Sequence, residues 1–320
     1  LLGESIHKVI KESIMRWIGL VAVVLCFAVP SLGAPYLLVA NHQGGNSVSK
    51  YDLDGNWQGY FVSPGSGGLA NAVGLQRGAD GHVYVASEGT AQILRYDGAT
   101  GAFIDVFASG PQLQFAGYLA TGPGGDFYAA GVGNNSVVRI DQTTGGIVGT
   151  AASGGGLSGP DGIVFTGSGE LLVSSYFSNS VKRYNPSTGA FLGDLISGGG
   201  LVRPLQLVIE GNELQVVSQG TNSIRKYNLQ TGAYLGDLLI GGGLNNPIAQ
   251  VTLPNGDRIV SSYSNSSLIR FDSAGALQGV FASGLAEGVK SPTTMILVPE
   301  PASASVLIGC GSCAVLRRRR

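Results

Sequence analysis

Apolar and polar residues alternate along most of the chain in short runs such as Val83-Tyr84-Val85, Leu171-Leu172-Val173 and Leu214-Gln215-Val216, each broken by Gly, Asn, Asp or Pro. A period of two bounded by turn residues predicts strands, and the middle of the chain nowhere carries a helical period. The runs also recur. Aligned on the aromatic or aliphatic residue that follows a basic one, Tyr51, Tyr96, Ile140, Tyr184, Tyr227 and Phe271 stand at intervals of 45, 44, 44, 43 and 44 residues. Each copy holds four strand-like runs, in the fourth copy Ile163 to Phe165, Leu171 to Val173, Val181 to Tyr184 and Phe191 to Leu195. Four strands in a repeat of this length are the pattern of a propeller blade, so six copies predict an all-β, six-bladed β-propeller with four-stranded blades.

The ends of the array predict how the ring closes. The first copy opens at Tyr36-Leu37-Leu38-Val39, which aligns with a second strand and has no first strand before it. After the last copy comes a spare run, Ser291 to Leu297, whose pattern matches Gly159 to Phe165. A C-terminal strand joining the first blade would complete it and remove the free edges of an open array.

Composition adds the compartment. The chain has 52 Gly and is only 12% charged, and Cys26, Cys310 and Cys313 all lie outside the repeats, so no disulfide is expected to support the propeller. Residues 34–300 carry 12 Lys and Arg against 18 Asp and Glu without a basic run, which argues against nucleic acid as a partner. Met15-Arg16-Trp17, an apolar run to Val29, and small Ser31 and Gly33 at a cleavage site read as a secretory signal peptide. The expected organisation is residues 1–14 upstream of the translated start, 15–33 the signal peptide, 34–298 the propeller and 299–320 a C-terminal tail.

In that tail Pro299-Glu300-Pro301 precedes fifteen mostly apolar or small residues, Ala302 to Leu316, and then Arg317, Arg318, Arg319 and Arg320. As a helix the apolar part would be roughly 23 Å long, near spanning with its arginines reaching the interface. These three ordered parts resemble the PEP-CTERM sorting tail of bacterial surface proteins. The resemblance covers residues 298–320 and implies an exosortase-type processing protease as a partner and contact with the membrane only through the tail. It further implies a destination in the cell envelope, cell surface or extracellular matrix of a Gram-negative-type bacterium.

Within the repeats, regularity separates architecture from chemistry. The Gly-Gly-Gly-Leu segments ending at Leu157, Leu201 and Leu244 lack the helix and Lys-Ser/Thr of a phosphate loop and read as blade-to-blade crossovers. Asn46, Asn135, Asn179 and Asn222 recur before third strands, where an Asn side chain is expected to bond its own turn. Candidate binding residues are the departures from the repeat on one face, where loops precede first strands and follow second strands: Asn41, His42, Glu88, Asp161, Tyr176, Arg203 and Tyr263. Aromatic rings beside amides and charges suit a glycan or peptide ligand. His42 and Glu88, in equivalent loops of adjacent blades, are the one acid-base pair that can be built there, while His82 falls in a turn of the opposite face.

The repeat over 36–298 resembles the NHL-like propellers and their relatives, the streptogramin lyases and the regucalcin/gluconolactonase group. The resemblance implies the fold and, for the enzymes among these relatives, a divalent metal in the channel and, in the lyases, a histidine base. At the channel entrance the alignment offers Ala72, Ala116, Asp161, Leu205, Ile248 and Thr293, and one carboxylate in an apolar ring is a poor cage for a hard cation. The sequence therefore predicts an exported, monomeric, non-catalytic binding or scaffolding module without a cofactor. The competing expectation is a metal-dependent lyase or lactonase acting through His42, Glu88 and Asp161, the last as metal ligand.

Overall fold

The computed structural model describes residues 34–299; the segments assigned above to a signal peptide and, from Glu300 onward, to a sorting tail lie outside the described residues. Six sheets of four antiparallel strands are present. The fourth blade shows the pattern: Pro160–Phe165, Leu171–Ser175, Ser180–Tyr184 and Phe191–Ser197 pair in chain order from the axis to the rim. Inner strands of successive blades, Ala72–Arg77, Ala116–Thr121, Pro160–Phe165, Pro204–Glu210, Pro247–Thr252 and Pro292–Val298, contact one another in a closed cycle. Among the described residues no helix is long and apolar enough to cross a membrane.

Closure follows the expected route. Tyr36–Asn41 pairs antiparallel with Pro292–Val298, so the first blade takes its inner strand from the far end of the chain. All six inner strands carry a bulge at their axial start: Pro160 faces Ser175 and Ile163 faces Val173, leaving one residue extra between them, and Pro292 to Met295 slips in the same way against Asn41 and Val39. The same slip lies between Ala72 and Leu75 and between Ala116 and Leu119. A bulge re-aims the side chains it carries. Since Ala72 and Ala116 pair as Pro160 does, the residues equivalent to Asp161 are Val73 and Gly117, not the Ala72 and Ala116 expected from the sequence.

The apolar residues sort into six buried clusters, each drawing on two neighbouring blades. The repeat-defining aromatics sit at these interfaces. Tyr184 is fully buried among residues of the third blade such as Ala151, Ala152 and Leu157, and its hydroxyl donates to the Gly154 carbonyl at 2.9 Å. Tyr96 does the same to Ser66 at 2.8 Å, whereas the Tyr227 hydroxyl is buried without a partner.

A second set of contacts latches the blades on one face. Asn46, Asn135, Asn179 and Asn222 adopt left-handed backbone conformations that Asn tolerates well. Their side-chain oxygens accept from the backbone N–H of Asn71, Gly159, Arg203 and Asn246, each at 2.8 Å. These Asn side chains thus bond the next blade's entrance rather than their own turn, because the left-handed backbone turns the amide outward across the blade gap.

Tyr184→Ala should lower stability by about 3 to 5 kcal/mol through the cavity between blades. Tyr184→Phe should cost about 1 kcal/mol for the lost bond, and Tyr227→Phe nothing or a small gain, since that hydroxyl has no bond to lose. Urea unfolding of the three variants checks this ordering, and equal costs for the two Phe variants would contradict it.

Candidate functional site at the axial mouth

Directly after each second strand stands one residue whose backbone N–H donates to the carbonyl of a left-handed residue at the entrance to the same blade's inner strand. The bonds are His42 to Ser291, Glu88 to Asn71, Val132 to Phe115, Tyr176 to Gly159, Gln219 to Arg203 and Tyr263 to Asn246, at 3.0–3.3 Å. Backbone geometry is therefore the same six times over, and only the side chain differs. Five of these are long polar side chains, and neighbours bond each other.

His42 is the centre of this ring. Its Nε2 meets Glu88 Oε2 from the next blade, and its Nδ1 lies 3.0 Å from the Tyr263 hydroxyl of the preceding blade. A neutral imidazole that donates from Nε2 to Glu88 accepts at Nδ1 from Tyr263. Across the mouth the Tyr176 hydroxyl donates to Gln219 Oε1 at 2.7 Å, and the exposed Arg203 guanidinium stands 5.8 Å from the Tyr176 ring centre. Of the residues singled out from sequence, His42, Glu88 and Tyr263 are brought together, while Tyr176 and Arg203 form a separate pair.

Asn41 has a different task. It is fully buried, donating to Ser47, Ser49 and the Gly288 carbonyl and accepting from Lys290 N at 2.9 Å. Ser87, Ser175, Ser218 and Ser262 hold the corresponding crossover N–H groups at 2.8–3.2 Å. Asn41 is thus the first blade's version of this serine latch, and its amide has no capacity left for a ligand.

Asp161 belongs one level down the axis, where the bulge turns it inward among Val73, Gly117, Leu205, Ile248 and Thr293. The Thr293 hydroxyl is spent on backbone carbonyls, the Ala72 oxygen at 3.0 Å among them. Asp161 accepts no hydrogen bond from any described residue, and a Cβ at Gly117 would stand 3.4 Å from its Oδ2. Burial, reinforced by the Glu88 charge, pushes its carboxyl up to about 7. Two neighbours escaped the sequence reading. Tyr118, whose phenol burial raises, accepts from Gln206 Nε2 at 3.1 Å across the axis, spanning the fourth blade. They occupy the repeat position after Asp161, otherwise Gly74, Gly162, Ala249 and Thr294; the test applied to loops, carried one residue further, would have found them.

No group of three or more His, Cys, Asp or Glu side chains among the described residues is placed to hold a metal ion. A divalent metal fits this donor set poorly: Asp161 stands alone at its level, and Glu88, with one oxygen held by His42, adds only a single free oxygen, well short of the six or more a hard cation wants. Size does not mark the site either. A groove of about 580 Å³ opens on the opposite face between the fourth and fifth blades, lined by residues such as Thr166, Glu170, Arg183 and Leu229.

Known proteins can now be set beside this geometry. No protein-family model and no curated protein matches the chain. Among solved structures, a protein of unknown function from Bacteroides caccae superposes with a TM-score of 0.67 at 14% identity, covering 83% of this chain and 100% of that one. The nidogen/laminin complex contains a match with a TM-score of 0.66 at 16% identity, over 82% and 98% of the two chains. Virginiamycin B lyase from Staphylococcus aureus matches with a TM-score of 0.56 at 17% identity, over 83% and 84%. The likeness is one of fold. One propeller thus serves proteins as different as a lyase and a component of the nidogen/laminin complex, and the fold leaves the site to decide between such roles.

Asp161 makes a pH prediction. Its folded pKa of about 7 lies above the ordinary 3.8, so between these values the folded protein holds a proton that the unfolded chain releases. Stability from this group is complete below about pH 4 and lost as pH rises through about 7, to the extent of a few kcal/mol at most. Asp161→Asn should flatten that slope, raising the melting temperature at pH 8 and leaving it unchanged near pH 3.5. An equal shift at both pH values would contradict the assignment.

Proposed function

We propose that the protein is an exported, non-catalytic propeller that binds its ligand at the axial mouth and serves as a binding or scaffolding module of the cell surface or extracellular matrix. It acts without a cofactor and as a monomer, with a PEP-CTERM-like tail, Pro299-Glu300-Pro301 to Arg320, as the substrate of an exosortase-type protease. The observation that carries the non-catalytic reading is the state of His42: both ring nitrogens are engaged inside the ring, by Glu88 and Tyr263. A general base needs a nitrogen within reach of the proton it takes. Burial and the Glu88 charge raise the Tyr263 phenol, so it is not activated as a nucleophile in His42's place. What the mouth offers instead is a fixed set of rings, amides and carboxylates on a rigid scaffold, the equipment of recognition.

A metal-dependent lyase or lactonase is the second reading, favoured by one feature: a carboxylate, an imidazole and a phenol in one bonded chain. It requires Tyr263 to give up His42 Nδ1, the nitrogen that carries the lone pair, when substrate enters. Elemental analysis of the purified protein, with melting temperatures taken with and without EDTA, separates the two. The binding module predicts no stoichiometric divalent ion and a melting point that EDTA does not move. A bound ion whose removal lowers the melting point would sink it and return attention to Asp161 and Glu88.

A further inference from the structure

The ligand-binding mouth leaves one side chain unaccounted for. Asp161 is a carboxylate set among apolar and small residues, without a hydrogen-bond donor of its own. Such a carboxylate, half-buried at the axis, carries in its charged form a desolvation cost that no donor from the described residues offsets. The bulge turns it toward the axis, and the absence of a side chain at Gly117 leaves room beside it. Above it Glu88 gives only Oε2 to His42, and its other oxygen has no partner among the described residues. No Lys or Arg among the described residues pairs with either acid. The Glu88 charge reaches Asp161 and Tyr263, and the Asp161 charge reaches Tyr118, so the two carboxylates face one region with one imidazole and two phenols, Tyr118 and Tyr263, as its other titratable groups.

We propose that the axial mouth binds a primary ammonium group, seated between the Asp161 carboxylate and the free oxygen of Glu88. This rests on the reading of the mouth as a binding site and names its ligand chemistry. An ammonium is a compact charge with three donors in no fixed plane, which suits acceptors coming from two blades at two depths. A guanidinium would pair with both oxygens of Asp161 in one plane and leave the free oxygen of Glu88, two blades away, unmatched. A hard metal ion wants six or more oxygens, and two carboxylates fall short. Because Asp161 must be ionised to serve, ammonium binding takes its proton away. Affinity then weakens about tenfold for each unit of pH below about 7 and levels off above it.

Two sources present such a group, an amino sugar and a lysine side chain. Isothermal titration of the full chain at pH 8 would use glucosamine and Nα-acetyl-lysine amide, with N-acetylglucosamine and Nα-acetyl-norleucine amide as neutral partners. Binding of one or both amines without their neutral partners is the expected result, and the amine that binds identifies the source. Asp161→Asn should then weaken binding at least ~10-fold, equivalent to about 1.4 kcal/mol, while Asp54→Asn, which removes a carboxylate from an exposed turn, should not. Equal binding of neutral and amine probes overturns the ammonium proposal but keeps the mouth as a binding surface. No binding by any probe at millimolar concentration overturns the proposal and withdraws support from the mouth as well. An Asp161→Asn protein that binds the amines as the parent does also overturns it.

Discussion

The pairing of Tyr36–Asn41 with Pro292–Val298 is the contact on which the rest of the molecule depends. Six blades bury their apolar faces only against one another, and without this pairing the first blade would have three strands and the sixth would face water. The seam also builds the candidate site. His42 directly follows the closing strand, its backbone held by Ser291 from the other end of the chain, and its imidazole bridges Glu88 in the second blade to Tyr263 in the sixth. Fold closure and assembly of the His42 ring are thus one event, completed only when the last strand has docked.

Repetition explains what was readable. Blade count, strand content and closure follow from intervals of 43 to 45 residues and from one spare strand, because a repeated unit reports its structure six times and errors in one copy are corrected by the others. His42 and Glu88 were legible for the opposite reason: they break the repeat at equivalent positions of adjacent blades. They meet because the ring position has the same backbone everywhere, so adjacent blades present the two side chains to each other. The misreadings fall where the geometry is non-local. The bulge in each inner strand shifts register by one residue, and nothing in Ala72-Val73-Gly74 tells which residue it will turn inward. Asn41 looks like a polar loop residue until its partner at Lys290, 249 positions away, is seen.

The ring position shows how a propeller confines variation. Every copy spends its backbone N–H on a left-handed carbonyl at the blade entrance, so the side chain carries no structural duty in closing the loop. One level down the same freedom does not hold. There the bulge points side chains into the axis, where five of six blades place residues that are apolar, absent or, like Thr293, satisfied by backbone. Chemistry at that level must be justified against burial, and Asp161 is the one group that meets no such justification from the protein itself.

That imbalance is affordable because of where it lies. Six interface clusters, each shared by two blades, supply cohesion around the ring, and a penalty of a few kcal/mol at the axis is small beside what they bury together. The penalty is also conditional: it is relieved when the carboxyl takes a proton or, while it is ionised, when a cation supplies the missing charge. A hydrogen-bonded Asn at the same position would be stable at every pH and indifferent to what enters the mouth. An ionisable group kept costly by its surroundings instead couples occupancy to protonation, and the apolar residues around Asp161 maintain that coupling by denying it any partner from within the fold.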